Sequence, residues 1–290
     1  MAATWLEQLL EPERLDIDAH ALAFGLSLLA ALAGLFILVQ LIRRFGTADS
    51  GLSRSEAILG FPLGIAAFIL PSVFIIALHQ PMPSGNPLTG ALIQTMFAAL
   101  AMFALANNPW RPGDEPRGKW HLARSRQLIW VPLIWVTGFP VLQAGMFASV
   151  QLHELLNAAV EQQQVVEQLR EARSPVQIFA WYLMAVVAAP MMEEFVFRVV
   201  LFGGTRRLLA HLSPATGWRH PGLWIAFMFS IAAFVLAHGV WGWTVGILPL
   251  TLLSVILTLL YAHTRSIWPS MLYHALHNAF VVTMQLYVLR

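Results

Sequence analysis

The chain contains no cysteine, which excludes disulfides, thiol catalysis and cysteine-ligated zinc. Charge is almost as scarce. Asp, Glu, Lys and Arg make up 11% of the residues, against about a quarter in a soluble domain. With 58% of its residues hydrophobic, the chain cannot clothe a water-facing surface. Basic residues form no block: the formal net charge is +2, and Lys and Arg are dispersed between apolar runs. That distribution argues against a nucleic-acid partner and reads as a topology signal. The first 20 residues also lack the positive charge of a secretory signal. They carry Glu7, Glu11, Glu13, Asp16 and Asp18, so insertion must be directed by the first apolar stretch.

Long apolar runs are what the chain does have. Eight stretches, Ala21–Ile42, Ala57–Leu78, Leu88–Ala106, Leu128–Val150, Val176–Phe202, Gly222–Val240, Trp243–Ala262 and Ile267–Leu289, match the roughly 17–25 residues needed to cross a bilayer, the fifth being long enough to tilt or protrude. The expected fold class is therefore all-α, a polytopic membrane protein of about eight transmembrane helices. The sixth and seventh stretches almost abut, which predicts a tight helical hairpin. Twelve Arg and Lys residues fall in the first, third, fifth and seventh connections, among them Arg43, Arg54, Arg117, Lys119, Arg207 and Arg265; four fall on the other side. The bias places the odd connections in the cytoplasm and both termini outside it.

Four segments follow from this pattern. Residues 1–20 form an extracytoplasmic segment and 21–150 hold four spans without a recognisable motif. Residues 151–174 read as an amphipathic connector closed by Pro175, either a surface helix or a lid over a substrate entry. Residues 175–290 form a four-helix core. Gly60…Gly64 and Gly242…Gly246 fit the small-residue helix-packing pattern, which carries no functional information.

An ionisable side chain inside a span costs about 2.5–3.5 kcal/mol on insertion scales, so each one asks for a reason. The first four spans avoid this cost away from their ends. The second half incurs it repeatedly, with Glu193, Glu194 and Arg198 in the fifth span, His238 in the sixth, and His274, His277 and Asn278 in the eighth. Glu194 and Arg198, four apart, share a helix face and can pair. Glu193 is turned about 100° away and is free for another task. Pro190 just before them removes a backbone donor and is placed to bend the helix. Counted from the cytoplasmic side, His274 is shallow, Glu193 is near mid-depth and His238 lies in the outer half. They meet only if the sixth span starts later than drawn, or is tilted or broken.

A Glu, two His and an Asn, without a serine or cysteine nucleophile, form a set able to activate water. A carboxylate in a low-dielectric pocket can act as base, an imidazole can share the proton, and His and Asn can donate to an oxyanion. Other readings of the same residues stand beside this one. Glu194 and Arg198 could be a structural ion pair that fixes helix packing, and Glu with two His could ligate zinc. A buried polar cluster could also serve a transporter or a non-proteolytic scaffold. No inverted repeat supports transport, and no HExxH supports a helical zinc site.

The sequence Glu193-Glu194-Phe-Val-Phe-Arg198 is an EExxxR motif, Phe234-Val-Leu-Ala-His238 is FxxxH, and His274-Ala-Leu-His-Asn278 is HxxxN. In this order and spacing they resemble the three motifs of the CAAX prenyl protease and bacteriocin-processing family of intramembrane glutamic endopeptidases. The resemblance covers about residues 175–288. It implies Glu193 as general base and His238 as the histidine that shares the activation of water. It implies His274 and Asn278 as the oxyanion pair, with Glu194 and Arg198 shaping the site. It implies no cofactor and no metal, a hydrophobic or lipidated (CAAX-like) peptide substrate met in membrane lipid, and a bacterial inner membrane as the location. Substrate identity and oligomeric state are not legible.

Overall fold

The computed structural model describes residues 51–77, 87–122, 125–156, 172, 174–212, 219–238 and 246–287, with scattered positions between 29 and 40. The expected N-terminal segment, most of the first span and most of the connector at 151–174 lie outside the described residues. Every regular element described is helical. Helix α1 spans Arg54–Ala77, α2 Pro87–Ala106, and α3 Val131–Leu155 behind a short turn at Ser125–Ile129. Helix α4 is built from Pro175–Tyr182, a π run Leu183–Ala188, Ala189–Glu193, a second π run Glu194–Gly204, and Thr205–Leu208. Helix α5 is Pro221–Ala237, α6 Ile247–Thr264 and α7 Ile267–Tyr287.

The stretches Arg54–Ile75, Leu88–Ala106, Ser125–Leu155 and Ile247–Thr264 are long and apolar enough to cross a membrane, and Pro221–Ala237 is apolar but shorter. The chain is an all-α integral membrane protein. Helix α7 falls short in apolarity because it carries His274, His277 and Asn278. Outward faces are apolar, as lipid requires: Ile65, Leu100, Phe103, Phe147 and Met228 are exposed.

The connection of the expected tight hairpin, residues 239–245, lies outside the described residues; α5 ends at Ala237 and α6 begins at Ile247. One boundary differs from those read in the sequence. The fifth span runs on to Leu208 rather than stopping at Phe202, and the sixth begins at Pro221 as drawn. Glu193 thus stands about as many residues from the end of α4 as His238 does from the start of α5. The longer α4 accounts for the common depth of Glu193 and His238, whereas His274 is only seven residues into α7 and reaches them through packing rather than through residue count.

Local sequence explains the helix starts. Ser53 and Glu56 form a capping box at α1: Ser53 N–H donates to Glu56 Oε2 (2.8 Å) and Glu56 N–H to Ser53 Oγ (3.2 Å). Ser174 and Gln177 repeat the device at α4. The buried Glu56 carboxylate also accepts the N–H of Gly118 at 3.0 Å, and Lys119 N–H donates to Gly51 O at 2.8 Å. The loop at 107–122 is thereby strapped across the start of α1. The same strap meets the turn between α6 and α7, where Ile267 N–H donates to Trp120 O (2.8 Å) and Trp268 Nε1–H to His121 O (2.8 Å). The connections rich in Arg and Lys therefore gather at one end of the bundle.

Helix α4 lies at the centre. Gly60 and Gly64 of α1 open a notch filled by Val200 of α4. Trp120 of the strap is fully buried, with its ring 6.0 Å from Phe195, the residue after Glu194. Ser230 of α5 donates to the carbonyl of Phe197 at 2.7 Å.

Candidate active site

Helix α4 supplies two consecutive carboxylates that point to different partners. Glu194 is fully buried, with Oε2 3.2 Å from Arg198 Nε one turn further on. Its Oε1 lies 3.0 Å from Nδ1 of His274 on α7. Arg198 is also fully buried, and its guanidinium rests over the Phe234 ring at 4.6 Å. Its Nη1 and Nη2 have no hydrogen-bond partner among the described residues, so Glu194 and the aromatic face balance the charge. The expected ion pair is present. The sequence did not disclose that Glu194 also holds His274, because the contact joins residues 80 positions apart.

Glu193 points to the other side. Its Oε2 is 3.6 Å from Nε2 of His238 and 3.8 Å from Nε2 of His274. His238 caps the C-terminus of α5 just past its last helical residue, and its Nδ1 lies 2.8 Å from the carbonyl of Phe234. A carbonyl only accepts, so Nδ1 carries a proton and Nε2 is the nitrogen turned to Glu193. At His274 the partner of Nδ1 is a carboxylate beside an arginine, which again places a proton on Nδ1 and turns Nε2 to Glu193. Two imidazole nitrogens and one carboxylate oxygen thus converge on one point. The separations of 3.6 and 3.8 Å exceed hydrogen-bond length. Glu193 Oε2 is buried and has no hydrogen-bond partner among the described residues. A water molecule bridging these groups fits such a point. Among the described residues, no group of three or more His, Asp or Glu side chains is arranged to hold a metal ion.

Phe234 has two roles that its motif position alone did not disclose. Its ring lies 4.5 Å from the His238 ring and 5.9 Å from the His274 ring, and it covers Arg198. It therefore walls both histidines off from the buried cation. Asn278, expected beside His274, places its Nδ2 2.8 Å from the carbonyl of Ala185 in the first π run of α4. His277 is set apart from these contacts, its Nδ1 buried without a partner among the described residues. Hollows lined by Thr137, Gly138 and Ile256, and by Lys119, Gln127, His263 and Arg265, bring no comparable base and acceptor set together.

Residues 175–280 match the family described as type II CAAX prenyl endopeptidase Rce1-like. A stretch of 104 residues is 30% identical to the "Putative membrane peptidase YdiL" of Bacillus subtilis (strain 168), covering 36% of this chain and 36% of that protein. The chain thus spans about a third of the length of the curated relative it matches. No solved structure matches. The matched region coincides with α4 to α7, the helices that carry every residue of the cluster.

Proposed function

We propose that this chain, whose residues 175–280 match the type II CAAX prenyl endopeptidase Rce1-like family, is an intramembrane peptidase whose Glu193 activates water. The observation that carries the reading is the meeting of Glu193 Oε2 with the Nε2 atoms of His238 and His274. Water held there donates to Glu193 and His238. Glu193 takes its proton as the oxygen attacks the scissile carbonyl, a step in which a positioned base contributes about 10²–10⁴-fold. His274, held by Glu194, and the second N–H of the Asn278 amide stabilise the tetrahedral oxyanion. Arg198 fixes Glu194 and so acts through it. The substrate class we infer is a hydrophobic or lipidated peptide reaching the site from lipid, since the helices around the cluster turn apolar faces outward. The gathering of the Arg- and Lys-rich connections at one end supports a bacterial inner-membrane orientation with that end cytoplasmic and both termini outside.

The test is cleavage of a quenched fluorescent prenylated CAAX peptide, and of an unprenylated hydrophobic one, by detergent-purified wild type, Glu193→Gln and His238→Ala. Each is run with and without a chelator. Cleavage by wild type, a loss of at least about 10²-fold in both variants, and indifference to chelator would support the water mechanism. Activity removed by chelator and restored by zinc would move the same three side chains into a metal site. Rescue of a deletion phenotype by Glu193→Gln would mean a scaffold.

A further inference from the structure

The amide of Asn278 makes a contact with a separate meaning. In the first π run the N–H of Ala189 donates to the carbonyl of Met184, five residues back. In that register the next bond would run from residue 190 to the carbonyl of Ala185. Residue 190 is proline and has no N–H to give. The carbonyl left over is the one that Asn278 Nδ2 reaches, at 2.8 Å. A carbonyl with no donor inside a bilayer is costly. The side chain on α7 supplies the hydrogen bond that the backbone of α4 cannot.

We propose that Asn278 is a positioning residue, holding the π run at Pro190 and through it the direction of Glu193. This rests on the peptidase reading and adds to the oxyanion role. Glu193 lies three residues past Pro190, on the short α segment Ala189–Glu193 between two π runs. A π run carries one extra residue per turn. Its relaxation to α register would turn everything beyond it by about 100°. That rotation would take Glu193 off the two Nε2 atoms. Tyr182 supports the same lock, its hydroxyl 2.7 Å from Thr283 Oγ1, so α7 grips α4 just before the π run as well as within it.

The test is a double-mutant cycle of Asn278→Ala and Pro190→Ala, read in melting temperature and in the pH dependence of kcat. The Pro190→Ala change supplies the missing N–H. Asn278→Ala is expected to lower the melting temperature by about 2–8 °C when Pro190 is present and by much less in the Pro190→Ala background. It should also displace the acid limb of the pH–rate profile, which reports the surroundings of Glu193, and the double variant should return that limb towards wild type. A fall in kcat alone, with the limb in place, would leave Asn278 as an oxyanion donor only and overturn the proposal. Equal thermal losses in both backgrounds would overturn it too. If the wild type cleaves neither peptide, the peptidase reading is what fails, and the thermal cycle still judges the lock. Should Pro190→Ala not fold, hydrogen exchange over residues 183–195 decides: Asn278→Ala should raise it about tenfold or more, and unchanged exchange would end the idea.

Discussion

Nδ1 of His274 lies 3.0 Å from Oε1 of Glu194, so the second carboxylate of the pair fixes the imidazole that the first one faces. Two adjacent glutamates thereby receive different tasks. Glu194, buried between Arg198 and His274, is a stationary anion. Glu193, with a buried oxygen that no described protein group satisfies, is the one left to meet water and substrate.

Replacing Glu194 by leucine strands a fully buried guanidinium. The expected loss is about 3–5 kcal/mol of stability, the usual result of breaking a buried pair from one side. Combining Glu194→Leu with Arg198→Met should recover most of that stability but not activity, since His274 would still lack its anchor. Thermal melts and peptide cleavage in the same detergent check both halves. Recovery of cleavage in the double variant would show that Glu194 matters only for packing.

Phe234→Leu should weaken the site twice. It removes the ring 4.6 Å from the Arg198 guanidinium, a contact worth about 2 kcal/mol when desolvated. It also removes the surface against which the His238 ring lies at 4.5 Å. A lower melting temperature together with a lower kcat is expected, and an unchanged melting temperature would refute the cation–aromatic account.

The strap offers a pH-dependent handle far from the site. Burial pushes the Glu115 carboxyl up, but hydrogen bonds from Ser55 and from the backbone N–H groups of Arg54 and Ser55, with Arg207 nearby, hold it below its ordinary value of 4.5. A carboxyl depressed in the folded state contributes stability above its unfolded pKa and loses it as pH falls through the folded one. Glu115→Gln should therefore melt below wild type at neutral pH, with the gap closing below about pH 4. A gap that is constant with pH would assign the effect to shape rather than charge.

Much of this protein could be read along the chain. Scarce charge and repeated apolar stretches determined an all-α membrane fold, because lipid leaves a spanning backbone few alternatives to helix. The spacing of Glu194 and Arg198 gave their pairing, which depends only on helical geometry. The isolation of Glu193 from that pair followed from the same geometry. Pro190 announced an irregularity in the fifth helix, and its form, a π run, came from the structure.

Other relationships needed the tertiary structure. Glu194 with His274, Phe234 over Arg198, Asn278 on Ala185 and Trp120 against Phe195 each join residues that no helical period relates. The folded arrangement also settled how Glu193, His238 and His274 reach one point. Depth counted from span boundaries could not, because the six residues that carry α4 past Phe202 to Leu208 are invisible to hydropathy yet change the counted depth of a carboxylate by about 9 Å. Sequence alone decided which residues bear the cost of charge in lipid. Packing of α4 against α5 and α7 decided which ring nitrogens face Glu193, since only a three-dimensional arrangement can direct two imidazoles at one carboxylate oxygen.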